Sequence, residues 1–314
     1  MPALRGDEPF FIVLNNGSGR HEDGEVEATI REGLRQGGRH FEVLPVSEGK
    51  ELPGVAAKAV TQAREAGGIV VAAGRDGTLN AVARAVLGSG LPFGILPQGT
   101  FNYFGRAFGI SQDTHTAIEC LLDAVIEPVH VGLVNDQPFL VNASLGLYPD
   151  LLEDREAWKQ RFGRSRVVAL GAALASLAGA HRQLRLQLEY QGKTRSLRTP
   201  TLVVDNNSLQ LEHIGIDEVD EIKRGRLVAM TAREVSTLTL YGLLVRGLLS
   251  RMGDAENVIS FGFENMTVRM RGRRRIKVAM DGEIVWMRAP LTFRVAPDRL
   301  PLLVPRDPAR RERG

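Results

Sequence analysis

Apolar and polar positions change rhythm once along this chain. Up to about residue 135, short apolar runs at Phe10–Leu14, Phe41–Val46, Ile69–Ala73 and Phe93–Leu96 alternate with segments whose apolar residues recur at helical spacing, Val26-Ile30-Leu34 and Val55-Ala59-Ala63. Strand and helix in alternation predict a parallel sheet covered by helices. From about residue 139 the period falls to two. Leu184-Arg185-Leu186-Gln187-Leu188-Glu189, Met266-Thr267-Val268-Arg269-Met270 and Ile276-Lys277-Val278-Ala279-Met280 alternate as half-buried strands do. The last two flank Arg271-Gly272-Arg273-Arg274, a spacing that predicts a hairpin. Further strands are expected at Leu202–Val204, Arg226–Met230, Ile284–Trp286, Leu291–Val295 and Leu302–Val304. Val167–Ala180 and Leu238–Leu249 read as buried helices. The expected fold class is α/β plus β: an N-terminal α/β domain over residues 1–135, a mainly antiparallel β domain over 136–305, and a charged tail, 306–314, that should fray.

Composition narrows the class without naming a function. The 314 residues are 43% hydrophobic and 25% charged, enough apolar residues for two compact cores and too many for a disordered chain. A net charge of +3 tips basic but identifies no anionic partner, and nucleic acid is not expected. Cys120 is the single cysteine, so no intrachain disulfide can form and a cytoplasmic location fits. It reads as a small buried residue on a helix. The N-terminus lacks the apolar run of a secretory signal. Val167–Ala180 falls short of the roughly 18–20 residues that cross a bilayer, so no transmembrane segment is expected and membrane contact should be peripheral, at the inner face.

Three polar glycine loops carry the candidate chemistry. The strand Val70–Ala73 breaks into Gly74-Arg75-Asp76-Gly77-Thr78-Leu79-Asn80, a turn able to offer backbone N–H groups and a helix N-terminus to phosphate. A similar strand and turn occur at Pro97-Gln98-Gly99-Thr100-Phe101-Asn102, and Asn15-Asn16-Gly17-Ser18-Gly19 follows the first strand. Any one of them would more often be a simple turn; three at one edge of a parallel sheet point to a ligand. Neither the P-loop spacing nor the dinucleotide fingerprint is present.

As a set, these loops resemble the signatures of the diacylglycerol kinase catalytic-domain family, within the NAD kinase/diacylglycerol kinase-like superfamily. Gly74 to Thr78 is similar to Gly-Gly-Asp-Gly-Thr, Pro97 to Asn102 to Pro-x-Gly-Thr-x-Asn, and Asn15 to Gly19 to Asn-Pro-x-Ser-Gly. A late Met280-Asp281-Gly282-Glu283 resembles the family's Asp-Gly-Glu. The resemblance implies a Rossmann-like nucleotide-binding domain joined to a β-sandwich lipid-substrate domain, with ATP and Mg²⁺ between them and a lipid alcohol at a membrane surface as acceptor. It assigns Asn15, Ser18, Gly19, Ser47, Gly74, Arg75, Asp76, Gly77, Thr78, Asn80, Gly99, Thr100 and Asn102 to the nucleotide. Asp281 is assigned as general base, and Glu283 shares that role or holds Mg²⁺. Without the other loops, Asp281-Gly282 would read as a hairpin turn.

The match breaks at Arg75, which replaces a glycine, and at Tyr103, which replaces a frequent aspartate. Lys223 and Arg224 precede Gly225 where many relatives place acids that hold a structural metal, so no metal ligands are assigned. The six histidines have no metal-ligand spacing. Two other functions are carried beside the lipid kinase: an NAD kinase, and a degenerate protein that binds nucleotide or lipid as a regulator. Oligomeric state, a homodimer included, is left open.

Overall fold

The computed structural model describes residues 4–15, 23–99, 102–147, 149, 152, 183–232 and 258–312. The helices expected at Val167–Ala180 and Leu238–Leu249 lie outside them. Two compact units result, one from Met1–Val131 with Pro297–Gly314, the other from Gly132–Ala296.

The first unit runs β1 (Phe10–Asn15), α1 (Asp23–Gln36), β2 (Phe41–Val46), α2 (Leu52–Ala66), β3 (Ile69–Gly74), α3 (Asp76–Val86), β4 (Phe93–Pro97), α4 (Tyr103–Ala107), α5 (Thr114–Leu122) and β5 (Ala124–Val129). Its strand order is β2-β1-β3-β4, then the chain's last strand, then β5. The expected parallel sheet is present, β1 pairing in parallel with β2 and β3, and β3 with β4. Phe10, Ile12, Leu14, Ile69, Val71 and Ala73 pack one face against Ile30 and Leu34 of α1 and Ile118 and Leu121 of α5. Helix α2 starts on a proline in its first turn and stops at Gly67, which takes the left-handed φ of 61° at its C-terminus. Cys120 is buried on α5, as its apolar surroundings in sequence suggest, and burial pushes its thiol up.

The second unit is two facing antiparallel sheets. Its elements are β6 (Gly132–Val134), β7 (Gln137–Phe139), β8 (Asn142–Gly146), β9 (Leu184–Tyr190), β10 (Lys193–Thr199), β11 (Thr201–Asp205), α6 (Ser208–His213), α7 (Val219–Lys223), β12 (Leu227–Ala232), β13 (Val258–Phe263), β14 (Asn265–Met270), β15 (Arg275–Met280), β16 (Glu283–Arg288) and β17 (Leu291–Val295). One sheet is ordered β10-β9-β14-β17-β6-β7 and the other β13-β12-β11-β8-β15-β16. Leu186, Leu188, Val268 and Phe293 of the first meet Leu145, Leu202, Val204 and Val278 of the second in one core.

Three expectations are corrected. The hairpin expected from Met266–Met270 and Ile276–Met280 does not form: β14 pairs with β9 and β17, whereas β15 pairs with β8 and β16 in the facing sheet. Residues Arg271 to Arg274 carry the chain between sheets, and alternation fixes which face a strand buries without fixing its neighbour. The strand expected at Leu302–Val304 is β18 (Leu300–Pro305); it belongs to the first unit, parallel to β4 and antiparallel to β5. The tail does not fray through Glu312: Pro308–Arg310 forms a 3-10 turn, the Glu312 N–H donates to the Gly109 carbonyl at 3.0 Å, and Arg311 pairs with Glu127 at 3.1 Å.

Candidate functional site

Parallel pairing brings the loop-bearing strand ends level. Asn15 is opposite Val46, Leu14 opposite Ala73, and Gly74 opposite Pro97. From β1 the chain moves outward to β2 and then back across to β3, so the order reverses between the Asn15 and Gly74 loops, the place where open α/β sheets collect ligands. A side-chain bond joins the two loops there: Asn15 Nδ2 donates to Thr78 Oγ1 at 2.8 Å.

The Gly74 loop is built for close approach. A Cβ on Gly74 would lie 2.7 Å from the Thr78 side chain, so the strand-to-helix turn requires glycine. Arg75 adopts φ −81° and ψ 173°, ordinary extended backbone, and its side chain is exposed. The family's glycine is therefore replaceable here without backbone strain. Asp76 opens α3, accepts the Asn102 backbone N–H, and keeps a buried Oδ1 with no hydrogen-bond partner. Burial raises its carboxyl above the ordinary range, which the two backbone bonds partly offset. An orphaned buried acceptor beside a helix N-terminus fits a group that brings positive charge or hydroxyl donors, as a magnesium nucleotide does. Thr78 and Asn80 are buried on the same helix, and Ser47 is exposed just after β2.

Asn102 serves the neighbouring turn. It takes left-handed φ 45° and ψ 38°, its Oδ1 accepts from the Gly99 N–H at 3.0 Å, and its Nδ2 donates to the Gly99 carbonyl at 2.8 Å and to Gln112 Oε1 at 3.2 Å. Glu312 Oε2 in turn accepts the Gln112 N–H at 2.8 Å, so the C-terminal tail braces this loop. Neither Gln112 nor Glu312 was among the expected site residues, because no local pattern announces a partner 200 residues away. Ser18, Gly19 and Thr100 lie outside the described residues.

In the second unit, Asp281 and Gly282 form a two-residue turn with φ 46° and 86°, and Met280 is opposite Glu283 across it. The plain hairpin turn and a candidate acid thus coincide. The Asp281 carboxylate is aimed at the β7–β8 connection: Oδ2 accepts the Leu140 N–H at 2.8 Å, and Oδ1 accepts Val141 and Asn142 N–H at 2.9 and 3.0 Å. Carbonyls of the same connection receive the Asp281 and Asn206 N–H groups, at Asn142 and Val141. Glu283 is exposed at the start of β16.

Asp205, opposite Asn142 at the end of β11, is a residue the sequence reading missed. It is fully buried; Oδ1 accepts the Asn207 N–H at 2.7 Å and Oδ2 has no hydrogen-bond partner. Burial, reinforced by the Asp281 charge, pushes this carboxyl well above its usual range against the backbone bonds that lower it. The available signal was the polar run Asp205-Asn206-Asn207 directly after a buried strand.

Around Gly225, where no metal ligands were expected, Arg224 and Arg226 each close on Glu221 at 2.9 Å. Among the described residues, no group of three or more His, Cys, Asp or Glu is arranged to hold a metal.

Comparison with known proteins now bears on these units. Residues 9–134 match the family model of the diacylglycerol kinase catalytic domain. The chain is 27% identical over 248 residues to an uncharacterised protein of Synechocystis sp., covering 77% of this chain and 56% of that one. It is 34% identical over 130 residues to the diacylglycerol kinase of Bacillus subtilis, covering 40% and 42%. With the probable lipid kinase YegS-like of Cronobacter sakazakii it shares 32% identity over 141 residues, 43% of this chain and 45% of the relative. The chain thus spans about half the length of these relatives. A crystal structure of a diacylglycerol kinase from Bacillus anthracis str. Sterne shares the fold with a TM-score of 0.70 at 17% identity, over 96% of this chain and 98% of that one. Motifs, sheet topology and match agree that residues 9–134 are similar to the diacylglycerol kinase catalytic domain, and that the whole chain shares the fold of the Bacillus anthracis structure.

Proposed function

We propose that this protein is a lipid kinase that transfers the terminal phosphoryl group of ATP to a hydroxyl of a diacylglycerol-like or sphingoid lipid. The observation that carries the reading is the glycine-lined turn at Gly74, tied to Asn15 through Thr78 and holding the orphaned Asp76 oxygen at the head of α3. Backbone N–H groups of that turn and the end of α3 favour a triphosphate. Magnesium bound with the nucleotide would supply charge neutralisation, and the orphaned Asp76 oxygen at the head of α3 is an acid that could hold it.

In the transfer step the lipid hydroxyl oxygen bonds to the terminal phosphorus as the bond to the bridging oxygen breaks. ADP leaves, and the hydroxyl proton passes to the Asp281 carboxylate. The three N–H donors on that carboxylate fix its orientation. A carboxylate so held is pre-aimed, which removes the entropy of orienting a free side chain. The ordinary backbone at Arg75 removes one motive for a degenerate, non-catalytic reading, whose other motive is the basic residues Lys223 and Arg224 before Gly225.

Label transfer from γ-labelled ATP across a panel of lipid alcohols in mixed micelles, with NAD alongside, tests this reading. Labelled lipid is expected; label on NAD and on none of the lipids would overturn it in favour of an NAD kinase. Asp281→Asn should lower turnover roughly 100-fold or more, in the range for a general base, while nucleotide affinity stays unchanged.

A further inference from the structure

One face of the β15–β16 hairpin carries charge and an aromatic ring that neither the core nor the kinase reading uses. Ile276, Val278, Met280 and Met287 turn inward and are buried. The alternate positions turn outward as cross-strand pairs, Arg275 opposite Arg288 and Lys277 opposite Trp286. Trp286 is 55% exposed, the large hydrophobic side chain most open to solvent among the described residues. Lys277 Nζ lies 5.8 Å from its ring centre. The adjoining turn adds exposed Arg271, Arg273 and Arg274. None of these five arginines has an ion-pair partner among the described residues.

Basic residues on an edge strand such as β16 can serve simply to block sheet-to-sheet association. That purpose does not account for an exposed indole, nor for two arginines set directly opposite each other, a pairing that costs stability unless an anion lies between them. Both features suit a surface of phosphates above an apolar layer. Arginine forks bind phosphate oxygens in pairs, and tryptophan partitions to the level of the headgroups.

We propose that this face, with the Arg271–Arg275 turn, is the surface by which the protein lies on a bilayer rich in anionic lipid. The choice of a bilayer rests on the lipid-kinase reading; the choice of face and of anionic lipid rests on the residues. Arg275 and Arg288 take lipid phosphates, and Trp286 enters the headgroup layer beside them.

Sedimentation with phosphatidylcholine vesicles, with and without phosphatidylserine and without nucleotide, tests the proposal apart from catalysis. Partition should rise with phosphatidylserine and fall with salt. The double variant R275Q/R288Q should lower it roughly tenfold or more, about one fivefold step per basic residue removed, with an unfolding midpoint equal to or above that of the wild type, since the like-charge pair is gone. In a Trp158→Phe background, Trp286 emission should shift to the blue on those vesicles. Label transfer to a dispersed, short-chain acceptor should be unaffected by R275Q/R288Q, which separates failure of docking from failure of the kinase reading. Equal partition of wild type and double variant, an unshifted Trp286 emission, or tighter binding to a single-stranded oligonucleotide than to the vesicles would overturn it.

Discussion

Asn102 is 1% exposed, and its amide closes a ring of bonds around Gly99 while its backbone takes a conformation that few side chains tolerate. Asn102→Ala removes these bonds and keeps the left-handed strain, so a loss of about 2–3 kcal/mol is expected in denaturant unfolding. Asp205 should show itself through pH. Its folded pKa is raised, so its contribution is complete below the unfolded value of about 3.9 and is lost as pH rises through the folded value. Stability measured from pH 4 upward should therefore fall more steeply in the wild type than in Asp205→Asn, and the variant should match or exceed the wild type at pH 8. The sequence displayed Asn102 through its motif but concealed Asp205, since burial of a carboxyl depends on what packs over it. Asp281 was legible as an acid in a hairpin turn, whereas its three backbone donors, some 140 residues earlier, were not.

At the scale of elements, the Asp281-Gly282 turn couples backbone shape to the candidate chemistry. Both residues have positive φ, the pairing that a two-residue hairpin turn demands. Gly282→Ala should cost about 1–2 kcal/mol of stability and, by tilting Asp281 off the Leu140–Asn142 donors, should reduce turnover by more than the folded fraction falls. Parallel calorimetry and label transfer would separate the two losses. Strands with strong alternation, β9, β14 and β15, were readable in advance; β10 was not, because Lys193–Thr199 is an edge strand that is nearly all exposed. Three-residue strands such as β6 and β7 are too short to show a period. The partners of β14 and β15 stayed hidden for a different reason: four residues suffice either to reverse a strand in one sheet or to step to the facing one.

For the molecule as a whole, the parallel α/β half and the antiparallel half were evident from the change of period near residue 135. The return of the chain to the first sheet was not, since Leu300–Pro305 is an apolar run with no mark of its neighbours. A chain ending at Ala296 lacks the strand between β4 and β5, so it should lose cooperative unfolding in the first unit, measured by hydrogen exchange over residues 10–129, whereas removing residues 313–314 should change nothing.

Because β18 comes from the far end of the chain and fills an interior place in the sheet, the piece from Gly132 to Ala296 is finished on the ribosome while the earlier sheet still has a gap. The turns that follow β3 and β4 therefore gain this neighbouring strand only once Leu300–Pro305 has been made, and a polypeptide released before that point never gains it.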